Sequence, residues 1–371
     1  MKLLIGLSLI GVLAGCNSVN SDLQAPKEKF NFITVKAEQS PTLADPKVNV
    51  LFVVDNSGSM KGYQDKLSQN MAYFSKKFFA NARINYRIGV VPVYDSKYLN
   101  DQTVYKSGVR KMNALGELVA LKGVAVNDKQ NQVFITRETH NPAHVLQQTV
   151  AIGVQWGPEA EESFSPVLAV ADDKINAEKN QGFYEKDAYL AVIFLSDADD
   201  VTPGLSGEEF YQRLVELKGG DRSKIIIAAA LPNLNSTDDD CKTDGRGPLQ
   251  AFPALLAKSG ALYADLCSGN FGADLAKFGQ YLVQRVGSQQ IQLPFTPDIT
   301  TLVVTYGTAE SAEADRVVLS AGNNGYFFDA DTNKVLISAE LQVGRIPGGV
   351  VFVKAAPANL GNYKNGRLIE L

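Results

Sequence analysis

Histidine is nearly absent from this chain: His140 and His144 are the only two in 371 residues, and Trp156 is the single tryptophan. So few imidazoles remove most histidine-based catalysis and most zinc sites. The two histidines sit four apart, but Pro142 lies between them and no cysteine or third histidine adjoins. There is no basic surplus either. Lys and Arg total 36 against 40 Asp and Glu, a net charge of −4, which removes nucleic acid as a partner. No G-x-S-x-G, H-E-x-x-H or Walker loop occurs, and no repeat or low-complexity tract. Three cysteines, Cys16, Cys241 and Cys267, are too few for a thiolate metal cluster.

What is present begins at the N-terminus. Lys2 is followed by an apolar stretch, Leu3 to Leu13, and then by small residues up to Cys16. This is the layout of a secretory signal over 1–15, too short to span a membrane as a mature helix. Its end, Leu13-Ala14-Gly15-Cys16, resembles the bacterial lipoprotein box, which implies acylation of Cys16. By the same resemblance, Asn17 after the cysteine points to the outer membrane. Setting Cys16 aside leaves Cys241 and Cys267, a pair that reads as a disulfide in an oxidising compartment. Residues 16–45 are polar and contain proline, as a flexible tether would, and "FNFITV" within them can add a short strand to the body.

From 46 to 286, apolar runs of strand length alternate with helical patterns. The strands are 48–54, 84–93, 131–136, 189–196 and 224–231, and several are apolar almost throughout, as strands buried on both faces are. Tyr63, Leu67, Met71, Phe74 and Phe78 share one helical face, and Ser206 with Glu209 forms a capping box. This alternation predicts a doubly wound α/β domain with a mostly parallel sheet. Residues 292–356 change character to short strands between turn signals, a small all-β, sandwich-like domain, with 357–371 as a C-terminal tail.

Two acids end buried strands: Asp55 in "LFVVDNSGSM" and Asp197 in "VIFLSDADD". Ligands of open α/β sheets bind beyond the carboxyl ends of the strands, so these acids can converge there. Ser57 and Ser59 alternate with Gly58 and present hydroxyls to the same side. Carboxylate and hydroxyl oxygens suit a hard cation such as magnesium, with manganese or calcium as alternatives. The alternative for Asp55 is that it merely ends a strand and caps the following helix, and Asp199 and Asp200 read as turn acids or as groups behind the ligands rather than as ligands.

Asp55-Asn56-Ser57-Gly58-Ser59, after a buried strand and paired with "FLSD", resembles the D-x-S-x-S element of the von Willebrand factor A domain and its metal ion-dependent adhesion site. The resemblance covers roughly 46–286. It implies a Rossmann-like fold, Ser57 and Ser59 as direct ligands, and Asp55 and Asp197 acting largely through water. The family's middle loop supplies a threonine, whereas "GPEAEESFSP" here has none. Glu161 or Glu162 takes that place as a ligand, or interacts only with the helix dipole; both readings stand. Trp156 beside this loop reads as a core residue.

The expected function is that of a binding module: a lipid-anchored envelope protein that engages an acidic residue of a protein partner through the cation. A metal-dependent hydrolase of an envelope substrate would need a carboxylate as general base, and an assembly scaffold would need the metal only for its fold.

Overall fold

Strand β2, Lys47–Val54, is buried at seven of its eight positions, and it fixes the architecture around it. Val48, Val50, Phe52 and Val54 enter one apolar cluster, Leu51 and Val53 another, as the two-residue period of a strand buried on both faces requires. The polar exception, Asn49, is fully matched: its side chain donates to the Phe183 carbonyl at 2.7 Å and accepts from the Glu185 N–H at 3.0 Å.

The structure is a computed structural model describing residues 32–38, 46–80, 84–96, 115–124, 132–154, 160–232, 249–287, 289–322, 325–330, 332–337, 348–360, 363–364 and 367–368. Cys16, Cys241 and Trp156 lie outside the described residues, as do the expected signal segment and most of the expected tether. Among the described residues, no helix is long and apolar enough to cross a membrane.

Six strands form the main sheet: β2, β3 (Asn85–Pro92), β4 (Phe134–Ile135), β5 (Tyr189–Leu195), β6 (Ile225–Leu231) and β7 (Leu262–Asp265), in the order β4-β3-β2-β5-β6-β7. All neighbours are parallel except β3 and β4. Counted within this domain the order is 3-2-1-4-5-6, the doubly wound arrangement in which the strand order reverses between the first and fourth strands, here β2 and β5.

Helices cover both faces. On one side lie α1 (Lys61–Phe78), α2 (Pro142–Val150) and, introduced last along the chain, a helix over Phe271–Gly287. On the other lie α3 (Phe164–Val170), α5 (Gly207–Leu217) and α6 (Ala251–Ser259), with the short α4 (Asp173–Glu178) following α3. The helix over 271–287 is therefore α7. It packs closely on α1 because Gly279 presents no side chain: a Cβ there would lie 2.8 Å from the Phe74 carbonyl oxygen. The Ser206–Glu209 capping box forms at the start of α5 as its sequence requires.

A second body follows. One antiparallel sheet has the order β1-β13-β9-β10, from Ile33–Glu38, Gly349–Ala355, Val303–Thr308 and Val317–Leu319. The other has the order β11-β12-β8, from Tyr326–Asp329, Lys334–Ile337 and Gln289–Gln292. Ile291, Val335 and Ile337 from one sheet and Val304, Tyr306, Val351 and Val353 from the other share a single core. Ile33–Glu38, where "FNFITV" within 16–45 was expected to add a short strand, is a strand of this second body, and its Val35 and Ala37 add to that core. The 357–371 tail carries three two-residue strands, Asn359–Leu360, Tyr363–Lys364 and Arg367–Leu368, paired antiparallel.

The second body meets the α/β domain at the amino-terminal edge of the main sheet. Gln290 donates to the hydroxyl of Tyr189, the first residue of β5. Lys334 Nζ donates to Ser223 Oγ at 2.7 Å, just before β6. Arg285, in the last turn of α7, pairs with Asp329 at 2.7 Å.

Candidate metal centre

The carboxyl edge of the sheet is at the opposite end, and the strand order reverses there between β2 and β5. In the parallel register Val54 pairs with Leu195, so Asp55 comes one residue and Asp197 two residues beyond the strands that flank the reversal. The Asp55 N–H extends the ladder by one rung, donating to the Leu195 carbonyl at 2.9 Å. Asp55 is fully buried and Asp197 nearly so.

Both oxygens of Asp55 are held. Oδ1 accepts from the Ser57 N–H and Oδ2 from the Ser196 hydroxyl, each at 2.8 Å. The loop then turns tightly over Gly58–Met60 into α1, and this brings the Ser57 and Ser59 hydroxyls to 3.1 Å of each other. Ser57 is buried and Ser59 exposed, so the pair opens toward solvent. Gln64, on the first turns of α1, donates to the Asp55 carbonyl at 2.7 Å and accepts from the Gly153 N–H at 2.8 Å. It thereby ties the first loop to the segment after α2.

The middle loop separates its two glutamates. Glu162 is consumed by structure: Oε1 accepts from the N–H (2.8 Å) and hydroxyl of Ser96, and Oε2 from the Ser165 hydroxyl at 2.9 Å. Its backbone also bridges to Tyr94. Glu161 is buried, and its carbonyl accepts from Val201 N–H at 3.2 Å, which holds it against the Asp197 loop.

That loop holds three aspartates close together with different tasks. Asp199 accepts from the N–H groups of Gln250, Ala251 and Phe252 at 2.6, 2.9 and 3.1 Å and so caps α6. Asp200 Oδ1 accepts from Ser163 and Phe164 N–H at 2.6 and 2.9 Å and caps α3. Burial pushes the Asp200 carboxyl up to about 6, against the opposing pull of its donors from Phe164, Thr202 and Ser163. Both cap helices remote in sequence, and Asp200 is a local turn acid as well, accepting from the Thr202 N–H at 3.1 Å and its hydroxyl at 2.8 Å. Asp197 is left as the member of the three at the strand reversal.

The sequence did not single out Ser196, Gln64 or Asp95. Asp95, buried just beyond β3, accepts from the Ala160 N–H at 3.2 Å. Its position after an apolar run was a usable signal. Ser196 was visible inside "FLSD", but its bond to Asp55 depends on strand pairing. His140 and His144 are exposed around the start of α2. Cys267 lies beyond β7, with its sulfur 3.7 Å from the Tyr63 hydroxyl; Cys241 is outside the described residues, so their pairing stays an expectation.

Among the described residues no three His, Cys, Asp or Glu side chains converge into a cage. The donor types fit a hard cation. All are oxygen, with the Asp55 carboxylate oriented by the Ser57 N–H and the Ser196 hydroxyl and the Ser57 and Ser59 hydroxyls 3.1 Å apart on the same loop.

No family profile matches the chain, and no curated protein does. Among solved structures it is similar to proximal thread matrix protein 1 from the mussel byssus, in two crystal structures. The TM-scores are 0.37 and 0.35 at 11% identity, covering 69% of this chain and 51% and 50% of that one. The chain thus spans about half the length of that protein, and an overlap this loose assigns neither a family nor a function.

Proposed function

We propose that this chain is a lipid-anchored envelope protein whose α/β domain is of the von Willebrand factor A type and binds a protein partner through a divalent cation. The observation that carries this reading is that Asp55 and Asp197 follow the two strands at the strand reversal, with the Ser57 and Ser59 hydroxyls 3.1 Å apart in the loop after Asp55. In doubly wound sheets that reversal is where ligands bind. The antiparallel edge strand and the helices on both faces are consistent with the reading.

Ser57 and Ser59 would hold the ion directly. Asp55 and Asp197 would act mostly through water, since both Asp55 oxygens already accept hydrogen bonds. Magnesium suits such a shell, because it keeps several of its waters. When bound, it offers positive charge and an exchangeable position to an outside carboxylate. This chain's residues would orient that charge toward solvent, where a partner can reach it. Were Glu161 to join the shell, it would reduce the charge available to a partner. Acylated Cys16, outer-membrane attachment and a Cys241–Cys267 bridge belong to the same proposal.

Isothermal titration of magnesium into the wild type and Asp55→Ala tests it. The wild type should bind one ion weakly, and the variant should bind none while keeping its circular dichroism spectrum. Identical titrations would overturn the assignment. Affinity capture from envelope extract, with magnesium and with chelator, tests the partner. Retention that is the same in both rules out a cation-mediated contact.

A further inference from the structure

The β1-β13-β9-β10 sheet has a second face, turned away from the shared core. The register places Val318, Thr305, Phe352 and Lys36 in one row across its four strands, with Val303, Lys354 and Thr34 in the next. This face carries Lys36, Arg316 and Lys354, with Glu313 beside the last two, in a chain whose net charge is −4. Phe352 and Thr305 themselves are buried, and Arg316 also donates to the Ser311 carbonyl at 3.1 and 3.0 Å. The Arg316 guanidinium lies 3.5 Å from the centre of the Phe352 ring, and Lys36 Nζ lies 5.7 Å from it. Lys354 Nζ stands 5.1 Å from the Phe32 ring and pairs with Glu313 at 2.7 Å. Around these cations, Val318 is 69% exposed, Phe32 43% and Val303 41%. Exposed aliphatic and aromatic side chains interleaved with Lys and Arg are the composition of a surface that lies against headgroups.

We propose that this sheet face rests on an anionic lipid surface, with Lys36, Arg316 and Lys354 toward headgroup phosphates and Phe32, Val303 and Val318 at the acyl boundary. The proposal rests on the reading of Cys16 as acylated. Its occupant follows from the chain itself. Residues 17–31 span at most about 50 Å when fully extended, so an anchor at Cys16 holds β1 and its sheet within reach of the bilayer. Each basic residue near an anionic surface strengthens attachment only roughly fivefold. That is too little for free capture, but it suffices once an anchor supplies a high effective concentration.

The full acylated chain is tested in vesicles of phosphatidylcholine, with and without phosphatidylglycerol, whose acyl chains carry bromine. Val318→Trp in a Trp156→Phe background gives one emitter on this face. Emission should be quenched several-fold more in the anionic vesicles, and the excess should be lost with Lys36→Glu or on raising salt to about 0.5 M, where charges are screened within a few ångströms. Equal emission in both vesicle types overturns the proposal, as does quenching that neither salt nor Lys36→Glu reduces. Light scattering that shows a dimer, with the emitter shielded by a second copy, overturns it as well. A wild-type chain that floats with vesicles no better than Cys16→Ser overturns the anchor and this proposal together. One that floats while the emitter stays in water overturns this proposal alone.

Discussion

The Ser196 hydroxyl donates to Asp55 Oδ2 at 2.8 Å, so the strand that ends in one acid of the candidate site also orients the other. The same hydroxyl accepts from the Ala198 N–H at 3.1 Å, which fixes its direction. A hydrogen bond to a buried carboxylate is worth more than a neutral one, because the charged acceptor has no water to fall back on. Ser196→Ala should cost about 2 kcal/mol of stability, read from urea denaturation. It should also weaken magnesium binding several-fold in calorimetry. A loss of stability with unchanged metal affinity would separate Ser196 from the site.

Asp199 and Asp197 lie two residues apart, yet their substitutions should differ in kind. Asp199→Ala removes the acceptor for three N–H groups at the start of α6 and should destabilise the fold by about 1–2 kcal/mol, leaving metal binding intact. Asp197→Asn should do the reverse. Thermal melts and metal titrations of both variants check the division, and equal effects of the two would contradict it.

Asp200 gives a pH dependence of definite sign. Burial raises its carboxyl from 3.8 to about 6 in the folded chain, so the native state takes up the proton more readily than the unfolded one. The stability this group contributes is present in full below the unfolded value and is lost as pH rises through about 6. The difference in urea midpoint between wild type and Asp200→Asn should therefore change between about pH 4 and 6 and be flat above pH 7. Chelator keeps metal out of the comparison. A difference that is flat across the whole range would show that Asp200 titrates normally.

Gly279 tests the packing of α1 on α7. A Cβ at this position meets the Phe74 carbonyl at 2.8 Å, and backbone cannot move aside as a side-chain tip can. Gly279→Ala should destabilise the domain by about 1–3 kcal/mol even though alanine favours helix. A melting temperature equal to or above the wild type would mean that the helices separate freely.

Much of this was legible from residues alone, for identifiable reasons. Strands buried on both faces, such as β2 and β6, announce themselves as apolar runs, and the face of α1 is written in the spacing of Leu67, Met71, Phe74 and Phe78. β7 was missed because Leu262–Asp265 is only four residues long and carries little apolar pattern. Asp55 and Asp197 were visible because a charge directly after a buried strand is conspicuous. Ser196, Gln64 and the capping roles of Asp199 and Asp200 were not, since each depends on partners more than 35 residues away. The second body was recognised by its turns, but nothing local in Ile33–Glu38 announces a partner at the far end of the chain.

That partner imposes an order of assembly. Ile33–Glu38 leaves the ribosome about 300 residues before its partner Gly349–Ala355. The α/β domain can close on contacts made between 46 and 287 while the first strand still waits for its neighbour. Such a distant closure is slow, because the intervening chain must be organised before the rungs can form. Until then the strand carries Ile33, Val35 and unpaired backbone into solution, and so invites pairing with other chains. The sandwich is thus the last part to be completed, and a chain cut short before 349 would be released with its first strand permanently open.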